Sequence, residues 1–68
     1  MEGIVKWYDD AKGYGFIESD DGNDFYVHYS CINTDHYKGL ETDWRVEFEI
    51  EEGPKGPQAG NVKVIQEK

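Results

Sequence analysis

The sequence predicts an all-β domain, five short antiparallel strands closed into a small barrel, and three observations carry that prediction. Apolar and polar residues alternate with the period of two that a half-buried strand requires, over Arg45 to Glu51 and in the paired runs Tyr14 to Glu18 and Phe25 to His28. No stretch repeats its apolar residues at the spacing of a helix face. Turn chemistry separates the runs: Asp9-Asp10-Ala11-Lys12-Gly13, Asp21-Gly22 and Gly53-Pro54-Lys55-Gly56-Pro57. A chain of 68 residues is expected to form one domain over 1–68, near the smallest size at which a single core supports folding. Closing the sheet removes the unpaired edges an open one would expose.

The first strand covers residues 2 to 8, with Val5 inward and Lys6 outward. Strict alternation would then bury Trp7 and expose Tyr8. Two large rings side by side on a strongly bent strand instead suggest a bulge, which shifts the phase by one residue, exposes Trp7 and half-buries Tyr8. Asp9 to Gly13 turns the chain into the second strand, where Gly15 and Ile17 take one face and Tyr14 and Phe16 the other. Asp21-Gly22 makes the next hairpin. In the third strand Phe25 and Val27 take one face, Tyr26 and His28 the other, so the first three strands form a meander.

Ser30 to Asp43 has no sustained period and is long for a loop. Ser30 to Asn33 fits one 3₁₀ turn with Ile32 toward the core. His36 reads as a solvated loop histidine, while Tyr37 beside Lys38 repeats a ring next to a cation. Trp44 is ambiguous, with packing at the start of the fourth strand preferred. In that strand Val46, Phe48 and Ile50 are expected inward, with Arg45, Glu47, Glu49 and Glu51 outward. Gly53 to Pro57 reads as a turn, and Asn61 to Ile65 as the last strand, with Val62 and Val64 on one face. A five-stranded barrel with its long connection between strands three and four matches the OB-fold.

One face of the meander is plainly core. The other sets Tyr14, Phe16, Tyr26 and His28 beside Lys12, flat rings at solvent with a cation next to them, which suits unstacked nucleic-acid bases. The seven basic and fifteen acidic residues, a net charge of −8, argue against wrapping duplex DNA by charge. Local potential matters more than the sum: Lys6, Lys12, Lys38 and Lys55 sit beside rings or glycine turns, whereas Glu47, Glu49, Glu51 and Glu52 crowd one late segment. Evenly spaced carboxylates on one strand face spread apart, which disfavours a metal site. Cys31 has no partner for an internal disulfide and, with only His28 and His36, no spacing for structural zinc; it reads as a small buried filler rather than a regulatory thiol. Met1 to Lys6 lacks the apolar run of a signal peptide, and no segment has the length and apolarity of a membrane span, so the expectation is a cytoplasmic protein without cofactor or small-molecule substrate. His28, Asp24 and Ser30 fall in one short segment with no chain to spare for a pocket, which argues against an enzyme. A barrel using the aromatic face against a peptide is the competing class.

These residues resemble the cold-shock domain of bacterial cold-shock proteins almost end to end. The resemblance runs from Gly3-Ile4-Val5-Lys6-Trp7-Tyr8 through Lys12-Gly13-Tyr14-Gly15-Phe16-Ile17, which is similar to ribonucleoprotein motif 1, and Phe25-Tyr26-Val27-His28-Tyr29-Ser30, similar to motif 2, to Gly56-Pro57-Gln58-Ala59 and Asn61-Val62. Motif order gives it specificity: in an RNA-recognition motif, motif 2 lies in the first strand and motif 1 follows a helix, whereas here motif 1 comes first. The resemblance implies a monomeric binder of single-stranded RNA and DNA that acts as an RNA chaperone, with effects on translation and transcription termination. Carried over by position, its binding surface falls on Lys6, Trp7, Lys12, Tyr14, Phe16, Asp24, Tyr26, His28, Tyr29, Tyr37 and Lys55, to which the ring-and-cation pattern adds Lys38. Asp24 is either an acceptor for a base edge or a turn residue leading into its strand. Tyr8, Tyr14, Tyr26, Tyr29 and Tyr37 stand where the family mostly has Phe. Asp9 stands in place of a common Asn, Phe25 in place of Val, and Asp43-Trp44 in place of a Gly-Gln turn, where Asp tolerates a left-handed backbone less readily than Gly.

Overall fold

The computed structural model describes residues 1–33, 39–54 and 56–67. Five strands, β1 (Glu2–Asp9), β2 (Tyr14–Ser19), β3 (Asp24–His28), β4 (Arg45–Gly53) and β5 (Gly56–Gln66), close into a barrel in the order β1-β2-β3-β5-β4, and a 3₁₀ turn, η1 (Tyr29–Cys31), follows β3. Each neighbouring pair is antiparallel except β3 and β5, which are parallel and meet at Tyr26 and Gln58. The all-antiparallel expectation is therefore corrected, for a geometric reason. A ring of five strands cannot alternate direction all the way round, so one pair must run the same way.

In β1, Val5 pairs with Ile17 and Trp7 with Phe16, leaving Lys6 as the extra residue of a bulge. The bulge resets the phase as the adjacent rings suggested: Val5 is fully buried, Trp7 is 42 % exposed and Tyr8 is half-buried. Directly opposed residues share a side of the sheet, so Trp7 joins Phe16 outside. Elsewhere in the meander, Gly15, Ile17, Phe25 and Val27 point inward as alternation requires.

The core gathers Val5, Ile17, Phe25, Val27, Leu40, Trp44, Val46, Phe48, Ala59 and Val62, with Tyr8, Ile32 and Val64 against its margin. The Phe25 and Phe48 rings meet at 5.5 Å. Trp44 packs inside, just after Asp43, whose φ of 75° is the left-handed turn anticipated there. Leu40 closes the barrel from the long connection and had no pattern around it to announce it.

Two readings of β4 and β5 are corrected. Ile50 lies half exposed rather than inside. It pairs with the buried Ala59 and shares its side, but β4 has no buried residue after Phe48, so at this end of the ribbon β5 is covered while β4 is left open. The last strand also begins at Gly56, not Asn61: the ladder continues through Glu52 opposite Pro57 to Gly53 opposite Gly56. The turn expected from composition is there, but tighter than Gly53 to Pro57: Gly53 already pairs with Gly56, so hairpin pairing with β4 holds Gly56 and Pro57 extended. A register shift at Asn61, whose φ is 50°, bends β5 where it crosses from this ribbon into the barrel. Cys31 is half-buried rather than buried, its sulfur accepting from Gln58 Nε2 at 3.7 Å.

Candidate nucleic-acid interface

The bulge and the alternation of β2 and β3 together assemble one outer surface. Across the three strands, Trp7 is opposite Phe16 and Phe16 opposite Tyr26, while Tyr14 is opposite His28. Trp7 lies 5.5 Å from both Tyr14 and Phe16, Tyr14 stacks on Tyr26 at 5.7 Å, and Phe16 meets Tyr26 edge-on at 5.9 Å. The rings thus hold one another in place, each half-buried by its neighbours with a face left to solvent. His28 and Tyr29 form a second ring pair at 4.4 Å, and Tyr29 is 54 % exposed. Gly15 makes the arrangement close: a Cβ there would lie 2.2 Å from the Trp7 carbonyl oxygen and 2.7 Å from Tyr8 Cα, so any side chain would push β1 off β2.

The cations and acids around these rings are less uniform than the sequence suggested. Lys6 Nζ is paired with the Asp24 carboxylate at 3.3 Å, both side chains about half exposed. Asp24, the first residue of β3, is also the counter-charge of a cation at the rim. An exposed pair of this kind is worth about 0 to 1 kcal/mol, so a phosphate competes with it readily. Lys12 is exposed on the β1–β2 turn. Asp9, the departure that placed a charge near this face, spends one carboxylate oxygen on the backbone N–H groups of Ala11 and Lys12, at 2.9 and 3.1 Å. An Asn oxygen makes the same turn. His28 Nδ1 accepts from the Ser30 N–H and so caps η1, with Ser30 Oγ at 2.8 Å. Burial, with the nearby charge of Asp10 second, pushes the Tyr8 phenol above its ordinary value. Tyr37, Lys38 and Lys55 lie outside the described residues.

The barrel brings Lys6, Trp7, Tyr14, Phe16, Asp24, Tyr26 and His28 onto one three-stranded surface, with Lys12 and Tyr29 at its β1–β2 turn margin. It also brings in Gln58, to which no role had been assigned. Gln58 sits opposite Tyr26 across the parallel β3–β5 pair, a closure with no local signature in the sequence. Among the described residues no group of three His, Cys, Asp or Glu side chains is placed to hold a metal ion, and no helix is long and apolar enough to cross a membrane.

Comparison with known proteins decides the family. The model of the family described as 'Cold-shock' DNA-binding domain matches residues 1–65. This chain belongs to the cold-shock domain family. A cold shock-like protein of Thermotoga maritima is 54 % identical over 66 residues, which cover 97 % of this chain and 100 % of the relative. Cold shock-like protein CspC of Bacillus cereus is 55 % identical over 62 residues, covering 91 % and 95 %. Cold shock protein CspA of Staphylococcus aureus is 56 % identical over 61 residues, covering 90 % and 92 %. The five-stranded barrel is accordingly the OB-fold of cold-shock domains, a family of nucleic-acid-binding proteins.

Proposed function

We propose that this cold-shock domain binds single-stranded RNA and DNA as a monomer and serves as an RNA chaperone in the cytoplasm, keeping transcripts unfolded for translation and affecting transcription termination. Bases stack on Trp7, Tyr14, Phe16, Tyr26, His28 and Tyr29, joined by Tyr37. Lys6, Lys12, Lys38 and Lys55 hold phosphates, with Asp24 releasing Lys6 when a phosphate arrives. The observation that carries this reading is the unbroken run of ring contacts from Trp7 to Tyr26 on an open sheet face. Rings already fixed by one another lose little freedom when a base lands on them, so most of the stacking energy survives as affinity.

Each base stacked on a ring contributes about 1 to 3 kcal/mol, largely regardless of its identity. Three or four such stacks place a short oligonucleotide near or below the micromolar range after ordering costs. Chaperoning follows by mass action without ATP. A protein present at about 100 times its dissociation constant stabilises the open strand by about 2.7 kcal/mol per bound site, enough to melt marginal hairpins but not long duplexes.

The test is a tryptophan fluorescence titration with a short oligopyrimidine. Trp7 is 42 % exposed and Trp44 only 8 %, so quenching reports the sheet face while Trp44 supplies a constant background. Saturable quenching that weakens with salt supports the proposal. Unchanged fluorescence with any single strand overturns it and favours a protein partner for the rings.

A further inference from the structure

Beside the aromatic sheet, Tyr8, Asp10, Ala11, Lys12, Gly13 and Tyr29 line a cleft of about 290 Å³. That is the space of about ten waters, the scale of a purine ring. Its wall is a ring: Tyr29 is 54 % exposed and packs over Gly13, where a Cβ would lie 2.8 Å from the ring. Lys12 stands at the rim as a cation. Asp10 is what a simple stacking site does not need.

The two consecutive aspartates of this turn have different fates. Asp9 is consumed by the turn, accepting from Ala11 N and Lys12 N. The Asp10 carboxylate accepts no hydrogen bond among the described residues, and it lies close to Gly39, where a Cβ would be 2.1 Å from its Oδ1. A carboxylate is an acceptor-only group with two oxygens, complementary to two adjacent donors. Among the bases, only guanine offers that pattern, N1–H beside the 2-amino group. Cytosine and adenine each present one amino donor, and uracil and thymine present a single N3–H flanked by two carbonyls that repel a carboxylate.

We infer that this cleft is a guanine-reading subsite, in which a base stacked on Tyr29 turns its Watson–Crick edge to the Asp10 carboxylate while Lys12 holds the adjoining phosphate. The inference rests on the single-strand binding proposed above and adds a base preference at one position to an otherwise tolerant surface. Sequence-specific reading of unpaired strands commonly combines stacking with hydrogen bonds to that edge.

The experiment walks one guanosine through heptauridine and measures affinity at each position. One position is expected to gain at least about fivefold, the low end for a bidentate base contact. Inosine there, which lacks the 2-amino donor, should lose most of the gain in the parent protein, where folding is not in question. Asp10→Asn, whose amide accepts with only one atom, should bring the guanosine-to-uridine ratio near one. A ratio near one at every position of the parent, or a preference that survives Asp10→Asn, overturns the inference while leaving single-strand binding intact. Failure to bind heptauridine at all overturns the binding proposal itself, and this inference with it.

Discussion

Truncating Phe16 to Ala separates binding from folding, because this ring lies on the proposed interface and outside the core. Phe16 is half-buried, and its neighbours are the rings of Trp7 at 5.5 Å and Tyr26 at 5.9 Å. Such ring pairs are worth about 0.5 to 1.5 kcal/mol each, nearer the lower figure on a wet face, so Phe16→Ala should cost the fold about 1 kcal/mol. Val27, one position from Tyr26 but pointing the other way, is fully buried. Val27→Ala removes two methyl groups at about 0.8 kcal/mol each and leaves a small cavity, for about 2 to 3 kcal/mol of stability. The order reverses for binding. Phe16→Ala loses one stacking platform, about 1 to 3 kcal/mol or 5- to 150-fold in affinity, whereas Val27→Ala should bind nearly as tightly as the parent under conditions where it is folded. The assay pairs a urea midpoint with fluorescence titration of a pyrimidine heptamer for each variant. If Phe16→Ala unfolds as readily as Val27→Ala, or binds like the parent, the assignment of the two faces is wrong.

Other outcomes follow from the same geometry. With about two to four phosphates neutralised, the log–log salt slope for a single strand should lie near −1.5 to −3, and Lys12→Gln should flatten it by about 0.7; a slope near zero would refute the phosphate contacts. A hairpin should compete far more weakly than an unstructured strand of equal length, since the rings must reach base faces that a duplex hides; equal affinities would count against stacking. Gly15→Ala should destabilise the barrel by at least about 1 to 3 kcal/mol, because its Cβ meets backbone rather than a movable side chain, and an unchanged urea midpoint would contradict the close β1–β2 approach. The Asp21 carboxyl is held below its ordinary range, chiefly by the Ser19 hydroxyl and then by Asn23. A depressed folded-state pKa contributes stability above the unfolded carboxylate range that is lost as pH falls through the folded value. Asp21→Asn should therefore be less stable than the parent at neutral pH, with the gap closing in acid, and urea midpoints across that range check the sign.

What the sequence made legible was whatever local pattern controls. Alternation placed Ile17, Phe25, Val27, Val46 and Phe48 inside and Tyr14, Phe16, Tyr26 and His28 outside, because side-chain direction on a strand depends only on the strand itself. Even the bulge was readable, since Trp7 and Tyr8 could not both satisfy a strict alternation. The misses depend on partners outside the segment itself. Ile50 obeys the alternation, but its exposure depends on where the barrel ends. The extended conformation of Gly56 to Gly60 depends on a partner strand, which overrides residues that favour turns. Gln58 reaches the interface margin only through barrel closure, and Leu40 enters the core from a connection without periodicity. The sequence also could not distinguish Asp9 from Asp10, because which carboxylate the turn uses is settled by backbone geometry.

A chain with a net charge of −8 presents a polyanion with a problem that the order of strands resolves. The proposed binding surface is centred on β2 and flanked by β1 and β3. In the ring β1-β2-β3-β5-β4, β4 pairs with neither β2 nor β3, and its Glu47, Glu49, Glu51 and Glu52 are all exposed. Most of this acidic strand therefore lies off the ring-bearing strands, on a barrel measuring 26 × 24 × 18 Å, with Glu51 nearest through its partner Gln58. At physiological ionic strength the screening length is about 8 Å, so carboxylates farther than that from a strand lying on the rings are largely hidden from it, whereas Lys6 and Lys12 beside it are not. At about 0.01 M salt the screening length grows to about 30 Å, and the whole acidic barrel then opposes the approach. Stacking is insensitive to that field. A surface that, as proposed, draws most of its affinity from rings and uses only a few cations tolerates an acidic body.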